Sequence, residues 1–152
     1  MRHVYFSSIS LTFACSTTPE QVETPYNLPG IWSKATLISL TQEECNENMT
    51  EVTASAPKAS VKEVNDNLVI TYPNAHFRCD QTVQGFMRQS DDGYSILIQP
   101  TEMEPKMAAK CDCGYTLHAT LPKAKSNSVR VFHRGDNLGR ESTIREIRVE
   151  SE

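Results

Sequence analysis

Two cysteines separated by a single residue, in Lys110-Cys111-Asp112-Cys113-Gly114-Tyr115-Thr116-Leu117-His118-Ala119-Thr120-Leu121, narrow what this chain can fold into. With Cys45 and Cys79 they make an even set of four beyond the first thirty residues. In a chain that looks exported, an even set reads as a disulfide framework. Alternate side chains of a strand share a face. Cys111, Cys113, Tyr115, Leu117, Ala119 and Leu121 would then share an apolar face, while Asp112, Gly114, Thr116, His118 and Thr120 share a polar one. That is the pattern of a strand packed on one side, with both cysteines expected to point inward. A catalytic thiol instead needs partial exposure and a positive neighbourhood.

A Cys111–Cys113 bond would close a tiny strained ring inside a strand. The expected pairs are therefore Cys79 with one member of the CxC and Cys45 with the other. A loop of about 33 residues contributes roughly 3.7 kcal/mol, and one of about 69 roughly 4.4 kcal/mol, if the effect is unfolded-state entropy. The alternative is a metal site built from Cys111 and Cys113 with His76 and His118. Against it, CxC is tighter than the spacing of structural zinc sites, and His118 falls on the opposite face from the cysteines. No CxxC is present to support redox chemistry.

Cross-links also answer a thin core. From Cys15 onward only 27 of 138 residues are Leu, Ile, Val or Phe, close to 20%, a level at which apolar burial barely offsets the entropy of ordering the chain.

The first fourteen residues, MRHVYFSSISLTFA, have a basic start and a short apolar-and-serine run without acids. The run is too short to span a membrane. It has the layout of a secretory signal ending in a small residue, Ala14. The pattern Leu11-Thr12-Phe13-Ala14-Cys15 resembles the lipobox of bacterial lipoproteins, which implies lipidation at Cys15. Residues 15–29 carry Pro19, Pro25 and Pro29 among polar spacers and read as a tether. The expected organisation is a signal peptide over 1–14, a lipid-anchored tether over 15–29, and one domain over 30–152.

Loss of Arg2 with the signal leaves 14 Lys and Arg against 19 Asp and Glu, a net charge of −5. That argues against nucleic acid as a partner. The C-terminal arginines (Arg130, Arg134, Arg140, Arg145 and Arg148) are matched by acids and read as a solvated strand face of mixed charge.

The rest reads as short strands. Trp32–Leu40 comes first, then a polar stretch holding Cys45, and Val52–Ala56 as a short strand. Ala59–Val64 and Leu68–Tyr72 form a hairpin around Asn65-Asp66-Asn67, with Pro73 ending, bulging or edging the second strand. Thr82–Gln89 and Tyr94–Gln99 flank an Asp92-Gly93 turn. Ser128–His133 and Thr143–Val149 close the chain. The expected fold is all-β: an antiparallel, immunoglobulin-like sandwich, with a small β-barrel as the alternative.

LVITYPNAHFRCD, GYSILIQPTEME and AAKCDCGYTLHATL are together similar to a recurring pattern in uncharacterised small lipoproteins of Gram-negative bacteria, over about residues 68–121. The resemblance implies a single β-domain at the cell envelope, periplasmic or at the outer membrane, and it brings no chemistry with it. No G-x-S-x-G, HExxH or glycine-rich phosphate loop joins His76, His118 or His133 to a nearby acid. The expectation is a binding or structural module with no enzymatic activity and no cofactor, anchored by lipid and contacting an envelope protein or glycan. Trp32, the only tryptophan, is a ligand-contact candidate if exposed and core if buried.

Overall fold

A computed structural model of the protein describes residues 26–45, 57–107, 109–126, 128–138 and 143–152. Their regular structure is strand apart from one short 3-10 turn. A 3-10 turn over Gly30–Trp32 precedes β1 (Thr36–Ile38), β2 (Leu40–Gln42), β3 (Lys58–Val64), β4 (Asn67–Arg78), β5 (Val83–Ser90), β6 (Gly93–Pro100), β7 (Asp112–Pro122), β8 (Val129–His133) and β9 (Arg145–Ser151). The sequence-derived strand over Val52–Ala56, the signal, and Cys15 lie outside the described residues.

All nine strands form one sheet in the order β1-β5-β6-β8-β9-β3-β4-β7-β2. Its first and last members, β1 and β2, are consecutive in the chain and separated only by Ser39. Two such strands cannot be far apart, so the sheet must curl until it nearly closes. The result is a barrel, the alternative to the sandwich. β1 and β2 together act as one bent stave, paired first with β5 and then with β7. The sheet is also mixed rather than purely antiparallel, since β6 runs parallel to β8 and β3 parallel to β9. Local turns set the hairpins, but these parallel partners come from distant parts of the chain.

The turn chemistry follows the sequence. Asn65 and Asp66 both take left-handed backbone, with φ of 48° and 60°, as the tight turn between β3 and β4 requires. β4 runs through Pro73 on a bulge: the register shifts between Tyr72 and Ala75, and Asn74 has φ 53°. One extra residue is absorbed there, Pro73 and Asn74 standing opposite Thr116 alone, so Leu68, Ile70 and Tyr72 before the bulge and Ala75 and Phe77 after it all face the interior. Gly93 has φ 126°, and a Cβ there would sit 2.1 Å from the Ser128 carbonyl oxygen. Gly93→Ala should therefore cost about 2 kcal/mol through strain and the displacement of Ser128, read as a lower urea midpoint.

The barrel interior is filled by its own side chains. Val61, Ile70, Tyr72, Phe77, Ile96, Ile98, Tyr115, Leu117, Leu121, Val131 and Ile147 are among the residues of a single apolar cluster. Eight staves leave an interior just wide enough for side chains. His133 is inside with them, fully buried, stacked on Phe77 at 4.5 Å, with Nδ1 3.3 Å from the Tyr72 hydroxyl.

A second, smaller core lies on the outside of the barrel. Trp32, Phe86 and Leu97 pack there with Leu28, Ala35, Phe132 and Ile144. Tyr26 packs its ring on Phe86, and Arg134 donates to the Asn27 carbonyl. Residues 26–29, expected in the tether, are thus docked on the barrel.

The gap between β2 and β5 is bridged by a side chain. Gln42 donates from Nε2 to the Gln81 carbonyl at 3.0 Å, and its Oε1 accepts from the Val83 N–H at 3.0 Å. Its amide stands in for the peptide group of a neighbouring strand, just where β1 has ended. Gln42→Leu keeps the bulk and removes both bonds, leaving a part-buried donor and acceptor unmet. The expected loss is about 1–2 kcal/mol, seen as a lower urea midpoint at unchanged slope.

Candidate functional site

The four cysteines meet at one end of the barrel. β4 ends at Arg78 and β7 begins at Asp112, which pair directly. Cys79 and Cys111 are the next residues outward, joined by a hydrogen bond from the Cys79 N–H to the Cys111 carbonyl at 3.1 Å. One step inward, Cys113 pairs with Phe77 across the ladder. Cys45 arrives from the chain after β2, which is held by the Glu43 N–H donating to the Thr116 carbonyl at 3.0 Å. The disulfides are Cys45–Cys113 and Cys79–Cys111, with Cα separations of 5.5 and 5.7 Å. This is one of the two pairings that the sequence leaves open.

One expectation needs correction. Cys113 is fully buried in the interior cluster, but Cys111 is exposed and lies just before β7. Face alternation applies only within a strand, and β7 starts at Asp112. The inward face therefore begins with Cys113 and continues through Tyr115, Leu117, Ala119 and Leu121 as expected.

Sγ atoms of Cys45, Cys79 and Cys113 all lie within 4.8 Å of one another. Among the described residues this is the one group of three or more His, Cys, Asp or Glu side chains with metal-ligand spacing. Neither His76 nor His118 belongs to it. His118 projects from the outer face of β7, where Nε2 is 2.7 Å from Glu43 Oε1 and Nδ1 is 3.3 Å from Thr71 Oγ1. His76 pairs with Gly114 and alternates with the inward Ala75 and Phe77, so it also faces out.

Next to the cysteines is a polar network that the sequence does not announce. The Asp136 carboxylate is 4% exposed and takes a two-pronged contact from the Arg78 guanidinium, with Nε to Oδ2 at 2.7 Å. It also accepts from Gln81 Nε2 and from the Leu138 N–H. Burial alone would push this carboxyl up. The Arg78 hydrogen bonds and charge, with the other two donors, outweigh it and hold the carboxyl below the ordinary range. The same contact with Asp136 raises Arg78. Tyr115 completes the end by donating its hydroxyl to the carbonyls of Cys79 at 2.8 Å and Arg78 at 3.2 Å. Asp136 sits in Gly135-Asp136-Asn137, which reads as turn chemistry alone, so its sequence hides a buried ion pair.

A second buried polar group anchors the N-terminal segment. Gln99 Nε2 donates to the Tyr26 carbonyl at 2.9 Å, and Arg134 Nη1 donates to Gln99 Oε1 at 3.3 Å. Burial lowers the Arg134 guanidinium from its ordinary value. The sequence signal for this was a glutamine at the end of the apolar run Ile96-Leu97-Ile98.

Trp32 is 2% exposed, wedged edge-on to Phe132 at 5.3 Å. Of its two expected roles it takes packing, and it offers no open ring face to a ligand.

Thr71, His118 and Glu43 form a hydroxyl–imidazole–carboxylate chain. Acyl-transfer chemistry also needs N–H donors aimed at a developing oxyanion. Thr71 and His118 lie on β4 and β7, each paired on both sides, so their backbone donors are committed to the ladders. The chain is a cross-strand surface cluster.

No helix of the described residues is long and apolar enough to cross a membrane. Comparison with family models, curated proteins and solved structures found no match in any of the three. The class defined by fold and site is a disulfide-stapled, nearly closed all-β barrel with a packed interior.

Proposed function

We propose that the chain is an exported cell-envelope lipoprotein whose barrel is a non-enzymatic binding or structural module. The observation that carries this reading is that all four cysteines beyond Cys15 are committed to two cross-links. Such cross-links form and persist in oxidising compartments. The leader over residues 1–14 and the lipobox-like Cys15 supply a route out and an anchor in the membrane.

Because the interior is occupied, recognition falls to the outer surface. Thr41, Thr71, Thr116 and Thr120 surround the His118–Glu43 pair on the outer faces of β2, β4 and β7. They offer hydroxyl and carboxylate groups suited to a polar partner such as a glycan or an envelope protein. The negative net charge disfavours nucleic acid.

The test is an intact mass of the protein from its native membrane fraction, with free thiols alkylated before and after reduction. The reading requires loss of residues 1–14, a lipid on Cys15, and no alkylation before reduction. An unprocessed chain with freely alkylating thiols would overturn it.

A further inference from the structure

The two disulfides share one small volume, and this gives the cysteines a second chemistry. Three of the four sulfurs lie within 4.8 Å of one another, and the fourth, that of Cys111, is bonded to Cys79. In a tetrahedral zinc tetrathiolate, metal–sulfur bonds of about 2.3 Å place the sulfurs about 3.8 Å apart. To reach that geometry the two bonded pairs must open from bonding distance to about 3.8 Å, the other sulfurs draw in from within 4.8 Å, and Cys111, outside that group of three, turn towards them.

Backbone contacts hold the cysteine-bearing segments near one another in addition to the sulfur–sulfur bonds. Cys113 is fixed by the β4–β7 ladder opposite Phe77. Cys79 and Cys111 are held together by their own backbone hydrogen bond. Cys45 follows a segment pinned to Thr116. Opening the disulfides therefore leaves four thiols converging from three anchored segments, and the ordering cost of metal binding is largely met by the barrel.

We propose that the fully reduced chain binds one soft or borderline divalent cation, of the zinc class, through Cys45, Cys79, Cys111 and Cys113. The disulfide form and the metal form exclude one another. Each disulfide is opened by a dithiol, which gives up two electrons and two protons and is itself oxidised to a disulfide. The four thiols so formed lose their protons to solvent as thiolates bind the cation. The metal then ties together the same three segments as the disulfides, so this end of the barrel is cross-linked before oxidation as well as after it. Thiolate ligands select against calcium and magnesium, which require oxygen donors.

The experiment uses the full chain, reduced and stripped of metal under anaerobic conditions, and titrated with cobalt(II) as the spectroscopic probe and then with zinc. The expected result is the intense visible spectrum and near-ultraviolet charge-transfer band of tetrahedral thiolate coordination, saturating at one cobalt per chain and bleached by zinc. The two-disulfide form should give neither band. Cys79→Ser should weaken apparent affinity by at least about tenfold. Should the reduced chain lack structure without metal, zinc should restore its far-ultraviolet circular dichroism. An absent or weak octahedral cobalt spectrum overturns the proposal. So does saturation at one cobalt per two chains, or a spectrum and affinity untouched by Cys79→Ser. These outcomes are independent of the lipid and processing read by the mass measurement.

Discussion

Replacing Cys45 and Cys113 together by alanine should lower the stability of the domain by about 4 kcal/mol. The bond joins residues 68 apart in sequence, and its removal returns that loop to the unfolded ensemble. The Cys79–Cys111 bond, at a separation of 32, should matter less on both of two grounds. Its loop is shorter, and its ends are already held by a backbone hydrogen bond and by the end of the β4–β7 ladder. Cys113 also belongs to the interior cluster, so the alanine leaves a small void as well. A domain of this size commonly has only about 5–15 kcal/mol in total. The Cys45→Ala/Cys113→Ala pair should therefore melt about 10–15 °C lower than the parent protein, and the Cys79→Ala/Cys111→Ala pair should fall less. Equal falls would show that loop length does not govern the effect here.

Asp136→Asn should cost about 2–3 kcal/mol. Breaking a buried ion pair by removing one partner commonly costs about 3–5 kcal/mol. Arg78 keeps a fifth of its side chain in solvent (21%) and can be partly rehydrated, which moderates the loss. The pH dependence gives a sharper test. The folded Asp136 carboxyl lies below its ordinary value, so the folded state favours its ionised form. Its contribution is fully present above the unfolded pKa, near 4, and is lost as pH falls through the lower folded value. Urea midpoints measured from neutral pH down to about pH 2 should fall more steeply for the parent than for Asp136→Asn. Glu146 and Glu150 are also held low, by Arg130 and by Lys58, and they titrate in the same window in both proteins. The difference between the two curves isolates Asp136. Parallel curves would remove the Arg78–Asp136 pair from any account of stability.

Much of the fold was legible because strands and tight turns are local. The alternation in Cys113 to Leu121 fixes the inward face of β7 by period alone. Asn65-Asp66 and Asp92-Gly93 place two hairpins through their backbone preferences. Pro73 announces an interruption, and the structure resolves it as a bulge that keeps the inward face intact. The site was less legible. Asp136 and Gln81 read as ordinary loop residues until the fold brings them to Arg78, and Gln42 becomes a closing group only where β1 gives way to β2.

By itself, then, the sequence determined an all-β chain, its main hairpins, and a demand that Cys45 and Cys79 each find a partner in the CxC. Only the tertiary structure decided that the sheet curls into a barrel. It also decided that β6 and β3 take the distant strands β8 and β9 as parallel neighbours, that Cys45 takes the buried Cys113, and that Trp32 is covered. The physical reason is range. Side-chain alternation and turn dihedrals are set within a few residues, whereas strand order and the meeting of four sulfurs depend on contacts between segments tens of residues apart.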